Sequence, residues 1–318
     1  MTSAKIEEFA NAVGGGGIVT RHGYSVFRWG KPYRSSPLWS ASKPLISALL
    51  MRAIKEKRIK SVDDPVAIHE PRLKELNGGK DATITWRHLA SMTSGYGLAD
   101  KPGAAFAYND DAITLYLYTL PRNVFYMDGT NAFHERLAHP LAFENAVSVQ
   151  DDFQKEPHGI VSISAQDMAR FGLMILRNGR WGEKEILTAD SVQTMLHSPV
   201  PGNTPVTSGG MTQILDDMPS VGAGRNQSQI GPGIYSFNWW LNTPDKNGRR
   251  LMPGAPEDAV VACGLWGKVA LVIVPSLDLV AVWQHSAIND FQAYAQGEQT
   301  QFSRAVDILC HAVTKPEL

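Results

Sequence analysis

The chain of 318 residues is 43% hydrophobic and 19% charged, a balance typical of a globular protein with one large domain or two interlocked ones. Its formal net charge of -1 gives no electrostatic reason to bind nucleic acid or an anionic membrane, so we expect neither as a partner. No stretch approaches the roughly 18 apolar residues of a transmembrane helix, and the N-terminus lacks the basic start and apolar core of a signal peptide. We therefore expect a cytoplasmic protein, or a periplasmic or secreted one if a signal sequence was removed.

The first half of the chain predicts one hairpin followed by helices. Residues 14–30 predict two short strands around the turn His22-Gly23. Residues 40–59 predict a helix with one buried face, because apolar residues recur there at three- and four-residue spacing. Shorter helical patterns follow at 84–95 and at 164–179, the second with a serine cap and a glycine stop.

The second half predicts a long irregular surface segment and then a sheet. Residues 198–234 are rich in Gly, Pro, Ser, Asn and Asp and show little periodicity. Three strand candidates and a final amphipathic helix follow, at 235–242, 268–275, 277–284 and 299–313; the turn Pro275-Ser276 joins the last two strands. We predict an α/β (α+β) fold in which residues 1–36 and 235–318 form an antiparallel sheet flanked by helices, and residues 37–234 form a mainly helical domain with long loops, with the active site at their junction.

Ser40 and Lys43 stand three residues apart where the first long helix begins. A serine hydroxyl becomes a good nucleophile only when a nearby base takes its proton. Residues three apart on a helix share a face, so Lys43 can reach the Ser40 oxygen. The positive end of the helix dipole and burial both favour a neutral, basic lysine. The alternative is that Ser40 caps the helix and Lys43 lies on the surface.

Two other stretches carry candidate chemistry. In PGAAFAYNDDA, residues 102–112, Tyr108 stands just before Asn109 and Asp110. A tyrosine beside an ammonium can have its pKa lowered enough to act as a general base. In ACGLWGKVALVIVPSLDLVAV, residues 262–282, glycines precede an apolar strand, and an exposed edge amide there could stabilise an oxyanion. The alternatives are an ordinary half-buried tyrosine and a glycine bulge.

Together these motifs resemble the serine β-lactamase and penicillin-binding-protein superfamily. The order is SxxK, then the tyrosine motif, then a Gly-rich strand entrance, and further stretches in the same style occur at 61–67, 85–95 and 159–187. The resemblance is strongest to the branch that holds class C β-lactamases, β-lactamase-like esterases, D-alanyl-D-alanine carboxypeptidases and 6-aminohexanoate-dimer hydrolases. It implies a β-lactamase/transpeptidase-like fold with an inserted all-helical domain.

The resemblance also implies residue roles. Ser40 would be the acylated nucleophile, Lys43 its base or proton shuttle, and Tyr108 a partner in proton transfer. The oxyanion hole would be the backbone N–H groups of Ser40 and Lys268. Further substrate-binding candidates are Asp110, Leu265, Trp266, Gly267 and Trp239, with Trp240 as another candidate wall. No metal or organic cofactor is implied.

Two departures from the family pattern bear on the substrate. Asp110 stands where the tyrosine motif usually ends in Asn, so an acceptor-only carboxylate replaces an amide and could hold Lys43 protonated. Leu265 stands where the Gly-rich motif of lactamases usually begins with Lys or His, a cation that helps to hold the substrate carboxylate. We therefore predict hydrolysis of small carboxylic esters, or of amides, through an acyl-enzyme on Ser40. β-Lactamase or D-alanyl-D-alanine carboxypeptidase activity is the alternative, and the oligomeric state stays open.

Rival classes have weaker support in the sequence. His134 and His139 are five residues apart, so they cannot share a metal as the i and i+4 histidines of a zincin do. No serine has the GxSxG setting of an α/β-hydrolase. Cys263 and Cys310 are too few for a disulfide framework, and we expect buried free thiols. The rival from another class is a catalytically silent homologue that only binds a ligand.

Overall fold

The computed structural model describes residues 1–150, 161–218, 230–296 and 299–313. Its α-helices are α1 (Ser3–Val13), α2 (Lys43–Lys55), α3 (Trp86–Ala90), α4 (Asp110–Thr119), α5 (Gly129–Phe133), α6 (Ala165–Leu176), α7 (Ala189–Leu196) and α8 (Gln301–His311). Its strands are β1 (Gly16–Arg21), β2 (Tyr24–Trp29), β3 (Ser36–Pro37), β4 (Ser148–Val149), β5 (Val161–Ile163), β6 (Arg180–Trp181), β7 (Lys184–Glu185), β8 (Tyr235–Ser236), β9 (Trp239–Leu241), β10 (Val260–Gly264), β11 (Val269–Val274) and β12 (Leu279–Gln284).

The main sheet is assembled from the two ends of the chain. Its seven strands follow the order β2-β1-β12-β11-β10-β9-β8, and the neighbours pair antiparallel. The N-terminal hairpin joins the C-terminal strands through β1 and β12, where Ile18 lies opposite Val282. An antiparallel sheet with helices from the intervening chain confirms the predicted fold class.

The hairpin turn lies where the sequence predicts it. His22 and Gly23 have φ of 53° and 82°, and two left-handed residues between strands make the tight turn that suits strand twist. Glycine has little cost in this conformation, whereas His22 adopts it less readily.

Helices cover both faces of the sheet. On one face, Phe9 of α1 contacts Trp283 edge to face, and Trp283 contacts Phe302 of α8. On the other face, α6 packs so closely that a Cβ built on Gly172 would lie 2.7 Å from Leu271 Cδ1. Because α6 belongs to the middle segment and yet packs on the sheet, the division at residues 37 and 235 stays a prediction.

Helix α2 runs through the interior and carries the SxxK motif at its start. Ten of its residues are buried, from Lys43 through Met51 and then Ala53. Its apolar side chains belong to the main core. Pro44 fits the first turn because the amide that it lacks has no intrahelical partner there.

Two strand predictions need correction. Residues 235–242 form a hairpin of β8 and β9 rather than one strand, because Phe237 and Asn238 have φ of 44° and 69° and reverse the chain. The strand β10 was missed, because its run of valine, alanine and cysteine is short and ends in glycine. The Pro275-Ser276 turn is a longer 3-10 connection that ends at Asp278 with φ of 49°.

The segment 219–229 of the predicted irregular region lies outside the described residues. Across the described ranges, no helix is long and apolar enough to cross a membrane.

Candidate active site

Ser40 and Lys43 meet on a single turn at the entrance to α2. A 3-10 turn at Trp39–Ser42 runs directly into the helix, of which Lys43 is the first residue. Lys43 Nζ donates a hydrogen bond to Ser40 Oγ over 2.6 Å. Lys43 is only 2% exposed. The structure therefore favours the paired arrangement over a capping serine and a surface lysine.

The backbone around Ser40 is held in an unusual conformation. Trp39 has φ of 53°, a left-handed value that costs a residue with a side chain on the order of 1 kcal/mol. The Ser42 hydroxyl donates to the Trp39 carbonyl at 2.6 Å, and the Ala41 N–H donates to the Leu38 carbonyl at 3.1 Å. These bonds fix the turn that presents the half-buried Ser40 side chain.

Tyr108 reaches the same hydroxyl from a separate segment. Its side chain is hydrogen-bonded to that of Ser40, and Lys43 Nζ lies 4.8 Å from the centroid of its ring. The next residue, Asn109, caps α4 by accepting from the Ala112 N–H at 3.2 Å. The Asn109 amide also donates to the Tyr96 carbonyl at 2.8 Å. The cap thus fixes the chain on the C-terminal side of Tyr108.

The Tyr108 phenol is held in its protonated form. Burial raises its pKa well above the usual value, the Asp110 carboxylate raises the pKa further, and the hydrogen bond with Ser40 offsets this only in part. The lowered pKa expected from a neighbouring ammonium is therefore wrong, because the site is dry and the Asp110 charge acts in the same direction as burial. At neutral pH, Tyr108 can donate or relay a proton but is not a resident phenolate base.

Asp110 forms a buried ion pair with Lys43. Its Oδ1 lies 3.1 Å from Lys43 Nζ, and the two side chains are 8% and 2% exposed. Asp110 is the first residue of α4, where the positive helix end favours a carboxylate. The departure from asparagine thus places a negative charge directly against the lysine.

The end of β10 closes the opposite side of the Ser40 turn. A Cβ built on Gly264 would lie 2.3 Å from the Leu38 carbonyl oxygen and 3.1 Å from the Ala41 nitrogen. Glycine is needed here for close approach and not for an unusual φ, since φ is -121°. The next two residues, Leu265 and Trp266, have φ of 47° and 56°, so the chain turns away immediately after the contact.

A family comparison identifies the arrangement. A model described as Beta-lactamase matches residues 3–286. The chain belongs to the beta-lactamase family. Membership places it among serine hydrolases of the esterase and amidase type, as the sequence predicts. A search of curated proteins gives no match.

Solved structures share the fold along almost the whole chain. A protein assigned as a beta-lactamase from Bacteroides dorei DSM 17855 is 20% identical with a TM-score of 0.68, covering 98% of each chain. A protein assigned as a 6-aminohexanoate-dimer hydrolase from Bacillus anthracis is 17% identical with a TM-score of 0.69, covering 96% of this chain and 81% of that one. A beta-lactamase/D-alanine carboxypeptidase from Yersinia pestis, complexed with citrate, is 15% identical with a TM-score of 0.66, covering 98% of each chain. At these identities the likeness establishes the fold.

The predicted tryptophan walls separate into core and site residues. Trp239 is fully buried and stacks on Phe171 of α6 at 6.2 Å, so its assignment to the substrate site needs correction. Trp240 projects from the opposite face of the strand and stacks on Tyr108 at 5.9 Å. Strand alternation sends adjacent residues to opposite faces, which explains the difference. Trp266 is 45% exposed on the turn after β10.

The backbone N–H groups of two other predicted residues of the Gly-rich motif, Lys268 and Gly267, already make hydrogen bonds within the protein. The Lys268 N–H donates to the Leu265 carbonyl at 3.3 Å, so that amide already closes the turn. The Gly267 N–H donates to the Cys263 sulfur, and Gly267 is buried. Burial raises the pKa of the Cys263 thiol. Both Cys263 and Cys310 are buried free thiols, as predicted.

Sequence reasoning missed Tyr235, Asn238 and Ser47, which lie behind Tyr108. The sequence signal for the first two was a Tyr-Ser-Phe-Asn stretch, where asparagine is one of the few residues that tolerate a left-handed turn. Ser47 gave no signal, because it occupies a buried helix position among apolar residues. In the described part of the chain, no three His, Cys, Asp or Glu side chains group so as to hold a metal ion.

Gly264→Ala tests the close approach of β10 to the Ser40 turn. The added methyl would meet backbone atoms that cannot rotate away, so we expect a loss of about 2 kcal/mol in the free energy of unfolding and a fall in kcat. Denaturant unfolding and steady-state hydrolysis measure the two effects. Gly202→Ala is the control, since a Cβ there would find nothing nearer than 3.9 Å. Equal behaviour of the two variants would contradict the close approach.

Proposed function

We propose that the protein hydrolyses small carboxylic esters, and amides as a second class, through an acyl-enzyme on Ser40. The observation that carries the proposal is the 2.6 Å hydrogen bond from buried Lys43 to Ser40 Oγ. The hydrogen bond between Tyr108 and Ser40 supports it, because two proton-carrying groups then meet at one hydroxyl. In the first step, Ser40 Oγ attacks the carbonyl carbon and the alkoxide leaves; water then releases the acid.

The Ser40 proton needs an acceptor before the attack. The Tyr108 phenol is already protonated at neutral pH, so Lys43 is the remaining group at hydrogen-bond distance. Lys43 can accept only after it gives up a proton, and we assign that proton to Asp110, whose Oδ1 lies 3.1 Å from Lys43 Nζ.

The leaving alkoxide must receive that proton. We assign its delivery to Tyr108, which is hydrogen-bonded to Ser40 and 4.8 Å from Lys43 Nζ at its ring centroid. The phenol donates its proton to the leaving oxygen and regains one from Lys43. The same route in reverse activates water for deacylation, so that each cycle returns Ser40 to its hydroxyl form.

The developing oxyanion needs two N–H donors. The Ser40 N–H is one. We propose that the Leu265 N–H is the second, in place of Lys268, because Leu265 follows directly on Gly264, which touches the Ser40 turn, whereas the Lys268 N–H is engaged with Leu265. Left-handed φ values at Leu265 and Trp266 fit a backbone that is shaped for a ligand.

The side chains that we expect to line the substrate pocket favour neutral acyl groups. Half-buried Trp39 precedes Ser40, and half-buried Leu265 and exposed Trp266 follow Gly264. Apolar side chains at these places offer no countercharge for the carboxylate that penicillins and D-alanyl peptides carry. The 6-aminohexanoate-dimer hydrolase and carboxypeptidase names of two relatives keep amides and D-alanyl peptides as alternatives.

A substrate panel tests the proposed preference. We expect p-nitrophenyl butyrate to be hydrolysed with a kcat/KM at least roughly tenfold above that for nitrocefin or a D-alanyl-D-alanine peptide. Steady-state absorbance or released D-alanine measures each rate. A preference for nitrocefin or the peptide would overturn the ester assignment. Binding without turnover of any of them, and without modification of Ser40, would favour the silent homologue.

A further inference from the structure

The ring of Tyr108 lies against two other buried aromatic side chains. Trp240 stacks on it with centroids 5.9 Å apart and planes at 14°. Tyr235 meets it edge to face at 6.0 Å and 77°. Tyr235 also packs edge to face on Trp240 at 4.8 Å. The three rings thus contact one another pairwise, so a shift of Tyr235 must disturb Tyr108.

Tyr235 is fixed in turn by a chain of hydrogen bonds. Asn238 Nδ2 donates to the Tyr235 hydroxyl at 3.3 Å. Ser47 Oγ donates to Asn238 Oδ1 at 2.7 Å, and the Asn238 N–H donates to the Ala90 carbonyl at 2.8 Å. All of these side chains are buried, with Ser47 at 0% and Asn238 at 2% exposure. Asn238 therefore has defined partners on its side chain and on its backbone.

The relay begins on the helix that carries the catalytic pair. Ser47 lies four residues after Lys43 on α2, so the two side chains share one helix face. From Ser47 the contacts pass to Asn238, Tyr235 and Tyr108, and Tyr108 returns to Ser40. One helix therefore presents the nucleophile and, through the sheet hairpin, also fixes the tyrosine that touches it.

The backbone of the β8–β9 hairpin is strained at the turn that takes part in this relay. Phe237 and Asn238 have left-handed φ of 44° and 69°, which costs Phe237 on the order of 1 kcal/mol, whereas asparagine tolerates this conformation better. An Asn-Gly pair would form such a turn with less strain. The conformation found here directs the Asn238 amide to Ser47 and Tyr235, and strain of this kind is often kept where geometry matters for function.

We propose that Tyr235 is the positioning residue for Tyr108, held by Asn238 and Ser47. This role rests on the proposed function, because it presumes that Tyr108 transfers protons at Ser40. The Tyr235 hydroxyl accepts from Asn238, and burial together with nearby Tyr108 keeps it protonated. It therefore does not take the Ser40 proton itself. Its contribution is the orientation of the Tyr108 ring.

A double-mutant cycle separates positioning from general destabilisation. Tyr235→Phe keeps the ring and removes the hydroxyl, so Tyr108 loses its fixed neighbour while no side chain near Ser40 changes. We expect kcat for p-nitrophenyl butyrate to fall roughly tenfold with KM unchanged. In a Tyr108→Phe background, the same substitution should cost almost nothing, because the group that it positions is already absent.

The rate at which a fluorophosphonate probe labels Ser40, followed by intact mass, provides a readout that does not depend on the substrate. Tyr235→Phe should slow this labelling when Tyr108 is present and leave the labelling rate almost unchanged in the Tyr108→Phe background. Tyr294→Phe is the matched control, since it also removes a buried hydroxyl, one that donates to Asp245 at 2.7 Å; we expect no change in kcat. If Tyr235→Phe does not fold, Ser47→Ala interrupts the relay from its other end. The fall in kcat that Ser47→Ala causes should also disappear in the Tyr108→Phe background.

Equal losses in both backgrounds, or no loss in the native background, would overturn the positioning role while leaving Ser40 chemistry intact. Failure of the unaltered protein to react with the probe at Ser40 would instead overturn the proposed function, and the positioning role with it. The two failures are therefore distinguishable in one set of measurements.

Discussion

Ser40→Ala should lower hydrolysis of p-nitrophenyl butyrate by roughly 10⁴-fold or more, because it removes the hydroxyl on which the proposed acyl-enzyme forms. The loss should fall on kcat. The fold should persist, since Lys43 keeps its 3.1 Å ion pair with Asp110 and loses only the hydrogen bond to the hydroxyl. We expect the free energy of unfolding to change by about 1 kcal/mol. Steady-state kinetics and denaturant unfolding measure the two quantities.

Ser191→Ala is the control for Ser40→Ala. Ser191 shares a hydrogen bond with Thr188 at the start of α7 and has no place in the proposed site. Its variant should retain the activity of the unaltered protein. Turnover in Ser40→Ala near the level of this control would rule out Ser40 as the nucleophile.

Tyr108→Phe should lower kcat by about 10²- to 10⁴-fold, the range typical of removing a proton-transfer group. The phenylalanine keeps the stacking on Trp240 and loses only the hydroxyl that is hydrogen-bonded to Ser40. The binding step should therefore change little, and KM should stay within a few-fold of its value. Tyr294→Phe serves again as a control for the loss of one buried hydroxyl.

The size of the Tyr108→Phe effect decides the role of the residue. A loss of less than about tenfold would remove Tyr108 from proton transfer, and Lys43 would then have to deliver the leaving-group proton alone. A large loss that falls on KM instead of kcat would indicate a binding role. Either result would require a different account of the raised pKa of this phenol.

Spacing along the chain predicted that Ser40 and Lys43 could meet, and the family resemblance was needed to propose catalytic roles for them. Ser40 and Lys43 are separated by one turn, and helix geometry alone brings their side chains together, as the 2.6 Å distance shows. Tyr108 was found through its motif and its place in the resemblance, not through any local rule. Its segment and that of Ser40 are far apart in sequence, so only the fold could show the hydrogen bond between them.

The protonation of Tyr108 was predicted in the wrong direction. The sequence showed an ammonium nearby and no measure of burial, so the expected pKa was low. In the structure, desolvation raises the pKa, and the Asp110 charge adds to that effect. The carboxylate was visible in the sequence as a departure from asparagine, but its 3.1 Å distance from Lys43 was not.

Long periodic elements were predicted well, and short strands less well. The hairpin at 14–30, helix α2 and helix α6 follow clear patterns, with His22-Gly23 in the turn. The stretch 235–242 failed because five of its eight residues are apolar or aromatic strand formers, whereas two left-handed residues reverse the chain. That error also assigned the wrong tryptophan to the site, because a missed turn hides which face each residue takes.

Trapping the acyl-enzyme tests the central claim most directly. The protein is mixed with p-nitrophenyl butyrate, quenched in acid within the first turnover, and analysed by intact and peptide mass spectrometry, with Ser40→Ala treated alongside. The account predicts one added butyryl group on the peptide that contains Ser40 and none in the variant. A butyryl group on another residue, or turnover that leaves Ser40 unmodified and is unchanged in Ser40→Ala, would contradict it.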